Sequence, residues 1–483
     1  MQIWIINPFD DLPCEGKAQR FWSLATMLAD QGHDVVWWSS DWSHRLKVRR
    51  EAPERKTDQR SWCGKVGNTS KAGVKRCEKP AGLVYDSEAV EEQPLSDQSV
   101  TINFELRLVA TPPYRKNLSL ARIWNHRMFG RKLYRDACAA IDSGALAKPD
   151  VILASLPPME GPIAALRLRA RYGCRVITDV MDAWPETLLQ ALSLGGRAVS
   201  GWRLANTVLR QVGSVALWPY ARMLRRACRE SDAVSAQSET FAAFAKEHGV
   251  KGAVHVCYLG GEASADSTNV EPSSHPGLTT EATETEALSA ETTELPPDRS
   301  STFLQRSLRL LYLGAMGRSY DLDTILDAVE LLNQGGLSVE CVFVGDGEKR
   351  VQLEAREVAG VRFTGFLQGE ALARELRAAD LGVVPFFSQS GVAIPYKAGD
   401  YLAYGLPLLS TIQGELAGLV QRFHCGKTYP VLNSQVLAAA IREYADDVNL
   451  LNQAKLGARE CFTSKFDRKK IYPAFADWVV SKS

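Results

Sequence analysis

The chain has 483 residues, too many for one ordinary hydrophobic core, so two domains are expected. Its 57 Lys and Arg almost cancel 56 Asp and Glu, and a net charge of +1 gives no global field that would attract nucleic acid. Ten cysteines without a Cys-x-x-Cys pair speak against structural zinc and a disulfide framework, and fit a reducing, cytoplasmic setting.

Gln2 to Ile6 is a short apolar run that reads as a buried first strand rather than a signal peptide. Phe21, Leu24, Ala25 and Leu28 then recur at helical spacing, and Gly32 ends the helix before strand Val35 to Trp38. This β-loop-α-β opening suits a doubly wound sheet. Lys56 to Ser99 is polar and aperiodic, an excursion from the first domain. Val151 to Ser155 and Arg175 to Val180 are two further strands around helix Pro162 to Tyr172. A strand-like segment, Asp232 to Ser238, leads into helix Glu239 to His248. Glu262 to Ser307 is rich in Thr, Ser, Glu and Pro and buries too little apolar surface to order itself, so a disordered linker is expected.

The alternation restarts at Arg309. Strand Leu310 to Leu313, helix Leu322 to Asn333, strand Val339 to Gly345 and helix Lys349 to Val358 follow. Helix Ala371 to Ala379, strand Leu381 to Pro385 and helix Gly399 to Tyr404 complete the run, and Tyr472 to Val480 reads as a last helix. No apolar run reaches membrane-spanning length.

The most informative stretch is Ile394-Pro395-Tyr396-Lys397-Ala398-Gly399-Asp400-Tyr401-Leu402-Ala403-Tyr404-Gly405-Leu406-Pro407. Lys397 and Asp400 share one face near a helix start, which suits a diphosphate beside neighbouring hydroxyls. Before it come Leu310-Leu311-Tyr312-Leu313-Gly314-Ala315-Met316-Gly317-Arg318, Val342-Phe343-Val344-Gly345-Asp346-Gly347-Glu348, Val361-Arg362-Phe363-Thr364-Gly365-Phe366 and Ala379-Asp380-Leu381-Gly382-Val383-Val384-Pro385. This ordered series resembles the C-terminal half of the GT-B glycosyltransferases, specifically family four of the retaining enzymes.

The resemblance implies an α/β chain of two Rossmann-like, doubly wound domains facing across a cleft. The acceptor domain would span 1–261 with its insertion near 56–99, the linker 262–307, the nucleotide-sugar domain 308–465, and a helix over 466–483 would return to the first domain. It implies a nucleotide diphosphate sugar as donor, a polysaccharide or lipid-linked glycan as acceptor, retention, and neither cofactor nor metal. Nucleic acid is not an expected partner. The rivals are an epimerase of the same fold, for which no acid/base set is visible, and a catalytically silent scaffold.

Carried onto this sequence, Lys397 and Arg318 become the clamp on the leaving diphosphate, with Gly314 beside them. Asp400 matches the second acid of the family's paired-acid motif, which holds the ribose. Val392 stands where the first acid would be, leaving backbone groups of Ser390, Gly391 and Val392 to grip the sugar. Gly16 resembles the glycine loop that approaches the donor phosphates, and Arg20 reads as solvated. Asp179-Val180-Met181-Asp182-Ala183-Trp184-Pro185-Glu186 follows a strand. Met181 fills the usual His place, so Asp182 is the expected acceptor-orienting or proton-accepting carboxylate, with Asp179 second. Ser155 to Pro162 follows another strand and reads either as lining of the same cleft or as a plain helix start at Gly161-Pro162, and Gly260-Gly261 reads by default as a turn, with hinge or cleft backbone as the alternative.

Basic residues from Arg115 to Arg135 interleave with Leu118, Leu120, Ile123, Trp124, Phe129 and Leu133, and Trp202 to Arg229 repeats the pattern. Such segments suit peripheral contact with an anionic membrane at its inner, cytoplasmic face.

Overall fold

The computed structural model describes residues 1–12, 15, 20–50, 54–55, 62–63, 103–116, 119–186, 203–262, 308–387 and 391–481, with backbone alone at 54–55, 62–63 and 203–216. Gly16, Ser390, most of the insertion expected at 56–99 and all but the first residue of the linker expected at 262–307 lie outside the described residues. Two compact units emerge, Met1–Leu259 with Lys469–Ser483, and Gly260–Arg468.

The first unit runs β1 (Gln2–Ile6), α1 (Arg20–Asp30), β2 (Asp34–Ser40), β3 (Glu105–Val109), α2 (Leu120–Asp142), β4 (Val151–Leu156), α3 (Glu160–Tyr172), β5 (Arg175–Val180), α4 (Arg203–Glu230), β6 (Ala233–Ala236), α5 (Glu239–Glu247) and β7 (Ala253–Val256). Its seven strands lie in the order β3-β2-β1-β4-β5-β6-β7, all parallel. A parallel sheet is covered on both faces, which is why β1 and β4 are almost continuously apolar. Trp4, Ile6, Ile152 and Ala154 pack under α2 and α3 with Phe129, Leu133 and Ala165. Ile3, Ile5, Leu153 and Ile177 pack on the other face with Phe21, Leu24 and Leu28 of α1.

The second unit runs β8 (Leu308–Leu313), α6 (Asp323–Gln334), β9 (Val339–Val344), α7 (Arg350–Glu354), β10 (Val361–Gly365), α8 (Gly369–Ala378), β11 (Leu381–Val384), α9 (Tyr396–Ala403), β12 (Leu408–Ser410), α10 (Glu415–Arg422), β13 (Gly426–Thr428), α11 (Ser434–Asp446) and α12 (Val448–Cys461). Its order is β10-β9-β8-β11-β12-β13, again parallel. Both sheets therefore reverse direction beside their first strand, at β1/β4 and at β8/β11, where loops part and ligands bind at the carboxyl ends.

A π-helical turn, Phe462–Phe466, follows α12 and precedes α13 (Arg468–Val480). Tyr472, Phe475, Ala476 and Val479 of α13 complete the core of the first unit, and the Tyr472 hydroxyl donates to the Leu259 carbonyl at 2.8 Å. Two helices differ from the sequence expectation. The one expected over Lys349 to Val358 stops at Glu354, because Glu357 is left-handed (φ 49°). The one expected from Gly399 starts at Tyr396, which puts Lys397 inside its first turn.

Candidate functional site

In the second unit α9 follows Pro395, whose extended backbone turns the chain into the helix, and ends at Gly405 (φ 69°) ahead of Pro407. Tyr401 pins the helix to both strands at the reversal. Its hydroxyl accepts from the Leu313 N–H at 2.6 Å and reaches the Val383 carbonyl at 3.4 Å. Four residues earlier, one turn along the same face, Lys397 is buried at 8% exposure.

The Lys397 ammonium sits in an aromatic box. Nζ lies 4.2 Å from the centre of the Tyr312 ring, 4.4 Å from Tyr320 and 5.2 Å from Phe386. A bridge between Tyr320 and Phe386 fixes two of the walls. Among the described residues Nζ has no hydrogen-bond partner. Ring faces attract a cation but cannot replace its water, and burial pushes Lys397 down to about 7. Gly314, the residue after β8, has φ 137°, and a Cβ there would stand 2.9 Å from Nζ. Glycine thus lets the ammonium pack close against the backbone on that side, where any side chain would crowd it.

Asp400 lies one turn on in α9, half-buried, and Gly391 (φ 66°) and half-buried Val392 lead into the helix. Arg318 is not drawn to the box. It is 87% exposed, with Nε 3.2 Å from Glu348. Asp321, buried just ahead of α6, accepts from the Thr324 hydroxyl at 2.8 Å and from the Leu432 N–H at 2.6 Å.

In the first unit Asp179 and Asp182 have different fates. Asp179, near the end of β5, is fully buried and takes a two-pronged bond from Arg20, 2.8 and 3.0 Å, plus the Ser235 hydroxyl at 2.6 Å. Arg20 is fully buried too, donating also to the Cys257 carbonyl at 2.7 Å and lying 4.6 Å over the Phe475 ring. This overturns the expectation of a solvated Arg20. Its partner stands 159 residues away, so the local sequence gave no sign of it. Asp182, beyond the strand, is half-buried, and desolvation raises it to about 6 despite a bond from Ala183 and the charge of Arg122. A carboxylate poised there can orient a hydroxyl and exchange its proton near neutrality.

Sequence reasoning missed a cluster of rings against Arg122, the residue whose charge acts on Asp182. Phe9, from the loop after β1, lies 4.8 Å from His44 and 5.3 Å from His126, and Arg122 stands over its face at 5.5 Å. His44 hydrogen-bonds the Tyr114 hydroxyl. Aromatic and His residues in the loops after β1, β2 and β3 were the available signal. Glu160, at the start of α3, is likewise buried, and desolvation raises it to about 7. Among the described residues no group of three His, Cys, Asp or Glu is placed to hold a metal ion.

Residues 15–260 match the family Glycosyl transferase 4-like domain, and residues 307–447 match Glycosyl transferases group 1. No curated protein matches the sequence. Among solved structures the chain is similar to sucrose-phosphate synthase from Thermosynechococcus elongatus, at 14% identity and TM-score 0.58, with 99% of this chain and 98% of that one covered. It is similar to HepE of Anabaena in complex with UDP-glucose, at 13% identity and TM-score 0.54, with 99% of each covered. WaaG, a glycosyltransferase involved in lipopolysaccharide biosynthesis, shares 12% identity at TM-score 0.51, with 100% of each covered. At such identities the likeness is one of fold, two Rossmann-like domains of the GT-B type.

Proposed function

Because the chain belongs to the glycosyl transferases, with a 4-like domain followed by a group 1 domain, we propose that it moves a hexose or hexosamine from a nucleotide diphosphate donor onto a polysaccharide or lipid-linked glycan. Transfer in this reading retains the anomeric configuration and uses no metal ion. The observation that supports it most is the Lys397 ammonium, buried among three rings beside Gly314 and, among the described residues, lacking a hydrogen-bond partner.

When the bond from the anomeric carbon to the diphosphate breaks, negative charge builds on the leaving oxygen. Lys397, held in a water-poor box, stabilises that charge more than a solvated lysine would. Asp400 takes the ribose hydroxyls, and the backbone around Ser390, Gly391 and Val392 takes those of the sugar. Asp182 orients the acceptor hydroxyl, which bonds to the anomeric carbon on the face the diphosphate leaves. Its proton passes to the departing phosphate oxygen or to Asp182. Asp179 acts one step back, fixing the end of β5 through Arg20.

HepE was solved with UDP-glucose, which makes UDP the first nucleotide to test. Calorimetry with UDP, GDP, ADP and dTDP, without metal, should give one clear binder that weakens in Asp400→Ala and Lys397→Met. If none of the four binds, the reading fails.

The acceptor half includes a membrane surface. Among the described residues no helix is long and apolar enough to cross a membrane. Along α2 one exposed stripe carries Leu120, Trp124, Arg127, Arg131 and Arg135, and α4 exposes Trp218 with Arg222, Arg225, Arg226 and Arg229. Tryptophan beside arginine suits an anionic headgroup layer. Co-sedimentation at low salt should favour anionic over neutral vesicles, and equal binding to both would sink this part.

A further inference from the structure

Beyond β5 the chain from Met181 to Glu186 carries Asp182, and three contacts fasten it to the rest of the first unit. The Gln237 amide, directly after β6, donates to the Met181 carbonyl. The Trp184 ring packs edge-on against Tyr220 of α4, with 4.9 Å between centres. The Glu186 carboxylate meets His248, with Oε1 3.4 Å from Nε2. Asp182 hangs between the first of these anchors and the other two.

The third anchor depends on a proton. His248 is the C-cap of α5, its Nδ1 lies 2.8 Å from the Phe244 carbonyl, and the Phe244 ring tilts against it at 4.4 Å. A carbonyl only accepts, so Nδ1 carries a hydrogen. A neutral ring would then turn a bare lone pair from Nε2 toward the carboxylate. Only the imidazolium donates to both neighbours, and the carbonyl end of a helix favours that cation. The bond to Glu186 holds His248 above its ordinary range, against burial and the charge of Arg225 on α4. Arg229 of α4 packs under Gly249, where a Cβ would meet its Nε at 2.8 Å. Lys246 and Glu247, exposed on α5 itself, carry opposite charges. Cys228 of α4 stays a neutral thiol, pushed up to about 12 by burial and then by Glu186. The second Glu186 oxygen is buried with no hydrogen-bond partner among the described residues, so a ring that loses its proton leaves this carboxylate poorly compensated.

We propose that protonated His248 is a positioning residue for the acceptor site: it holds Glu186, and through it the segment bearing Asp182, and lets go when it loses its proton. This rests on the glycosyl-transfer reading and deepens it, because it makes the placement of the acceptor carboxylate conditional on pH. The folded midpoint of His248 lies above its ordinary 6.5, so the hold is complete below 6.5 and is lost as pH rises through the folded midpoint.

The test uses the full chain with 15N in the histidine rings and 13C in the aspartate carboxyls, followed by NMR from about pH 5 to 9. His248→Gln and Asp182→Asn assign the two signals. In wild type the Asp182 carboxyl should move twice, once at its own midpoint of about 6 and again with the His248 ring. Glu186→Gln offers a partner to both forms of the ring, because its amide donates to neutral Nε2 or accepts from the cation. In that variant the His248 midpoint should fall by about one unit, and the second Asp182 step should vanish while the first stays in place. Glu186→Leu removes the hold at every pH, so the first step should itself move. A His248 midpoint unchanged in Glu186→Gln overturns the ion pair. The positioning role is overturned by an Asp182 signal blind to His248, by a first step unmoved in Glu186→Leu, or by a second step that follows the lowered His248 midpoint in Glu186→Gln, as a through-space field would. None of these signals needs turnover. Failure of the glycosyl-transfer reading appears separately, as wild-type protein that binds no nucleotide diphosphate.

Discussion

Arg20 and Lys397 are both cations buried at the carboxyl end of a parallel sheet, one in each unit, and their surroundings are opposite. Arg20 has a two-pronged carboxylate, a backbone carbonyl and a ring face. Lys397, among the described residues, has ring faces alone. A charge whose needs are met inside the fold stiffens the fold. A charge left short can be satisfied by something that arrives.

The comparison breaks most visibly under substitution of Arg20. Arg20→Met strands Asp179 without its counter-charge and should cost about 3–5 kcal/mol, read as a fall in the denaturant midpoint. Lys397→Met removes a charge that burial already disfavours, so its midpoint should match or exceed wild type. A Lys397→Met protein as unstable as Arg20→Met would end the distinction.

Turnover should respond the other way. Lys397→Met should lower kcat by about 10²–10³-fold, the usual loss when a donor to developing negative charge is removed. Arg20→Lys, if it folds, should change kcat far less, because it touches no reacting atom.

The pH dependence sharpens the contrast. The folded value for Lys397 is about 7 against an ordinary 10.5, so between those pH values the unfolded chain holds more protons. Stability should therefore rise with pH across that window, by up to about 1.4 kcal/mol per unit for this group, and the rise should vanish in Lys397→Met. Diphosphate binding at pH 8 should also take up protons, seen as a binding enthalpy that depends on the buffer's ionisation enthalpy. A wild-type slope identical to that of Lys397→Met would refute the assignment.

The smallest effect belongs to a third cation, Arg318. Solvent screens its contact with Glu348, so Arg318→Ala should shift stability by less than about 0.5 kcal/mol. If nucleotide affinity also stays unchanged in Arg318→Ala, the resemblance-based role for this residue falls away.

Much of the framework was legible because it is local. The apolar runs of β1, β4, β5, β8, β9 and β11 follow the chain's own periodicity, and Lys397 and Asp400 stand together in one motif. What the sequence concealed depends on distance along the chain. The box around Lys397 takes its walls from Tyr312, Tyr320 and Phe386, and no spacing rule joins those positions. Arg20 was misread because nothing near it announces Asp179. The rings at Phe9, His44 and His126 come from two separate loops and the start of α2, each unremarkable alone. Short strands such as β12 and β13, three residues each, are too brief to show a period.

The position of α13 sets an order of events during synthesis. Residues Gly260–Arg468 are contiguous and can fold as they emerge from the ribosome, whereas the first unit must wait for Tyr472, Phe475 and Val479 to fill its core. Tyr472 meets Leu259 across 213 residues. Until then the apolar side of α1 and the seat of Arg20 stand uncovered, so the nascent first unit is a natural client for chaperones even while the second is already finished.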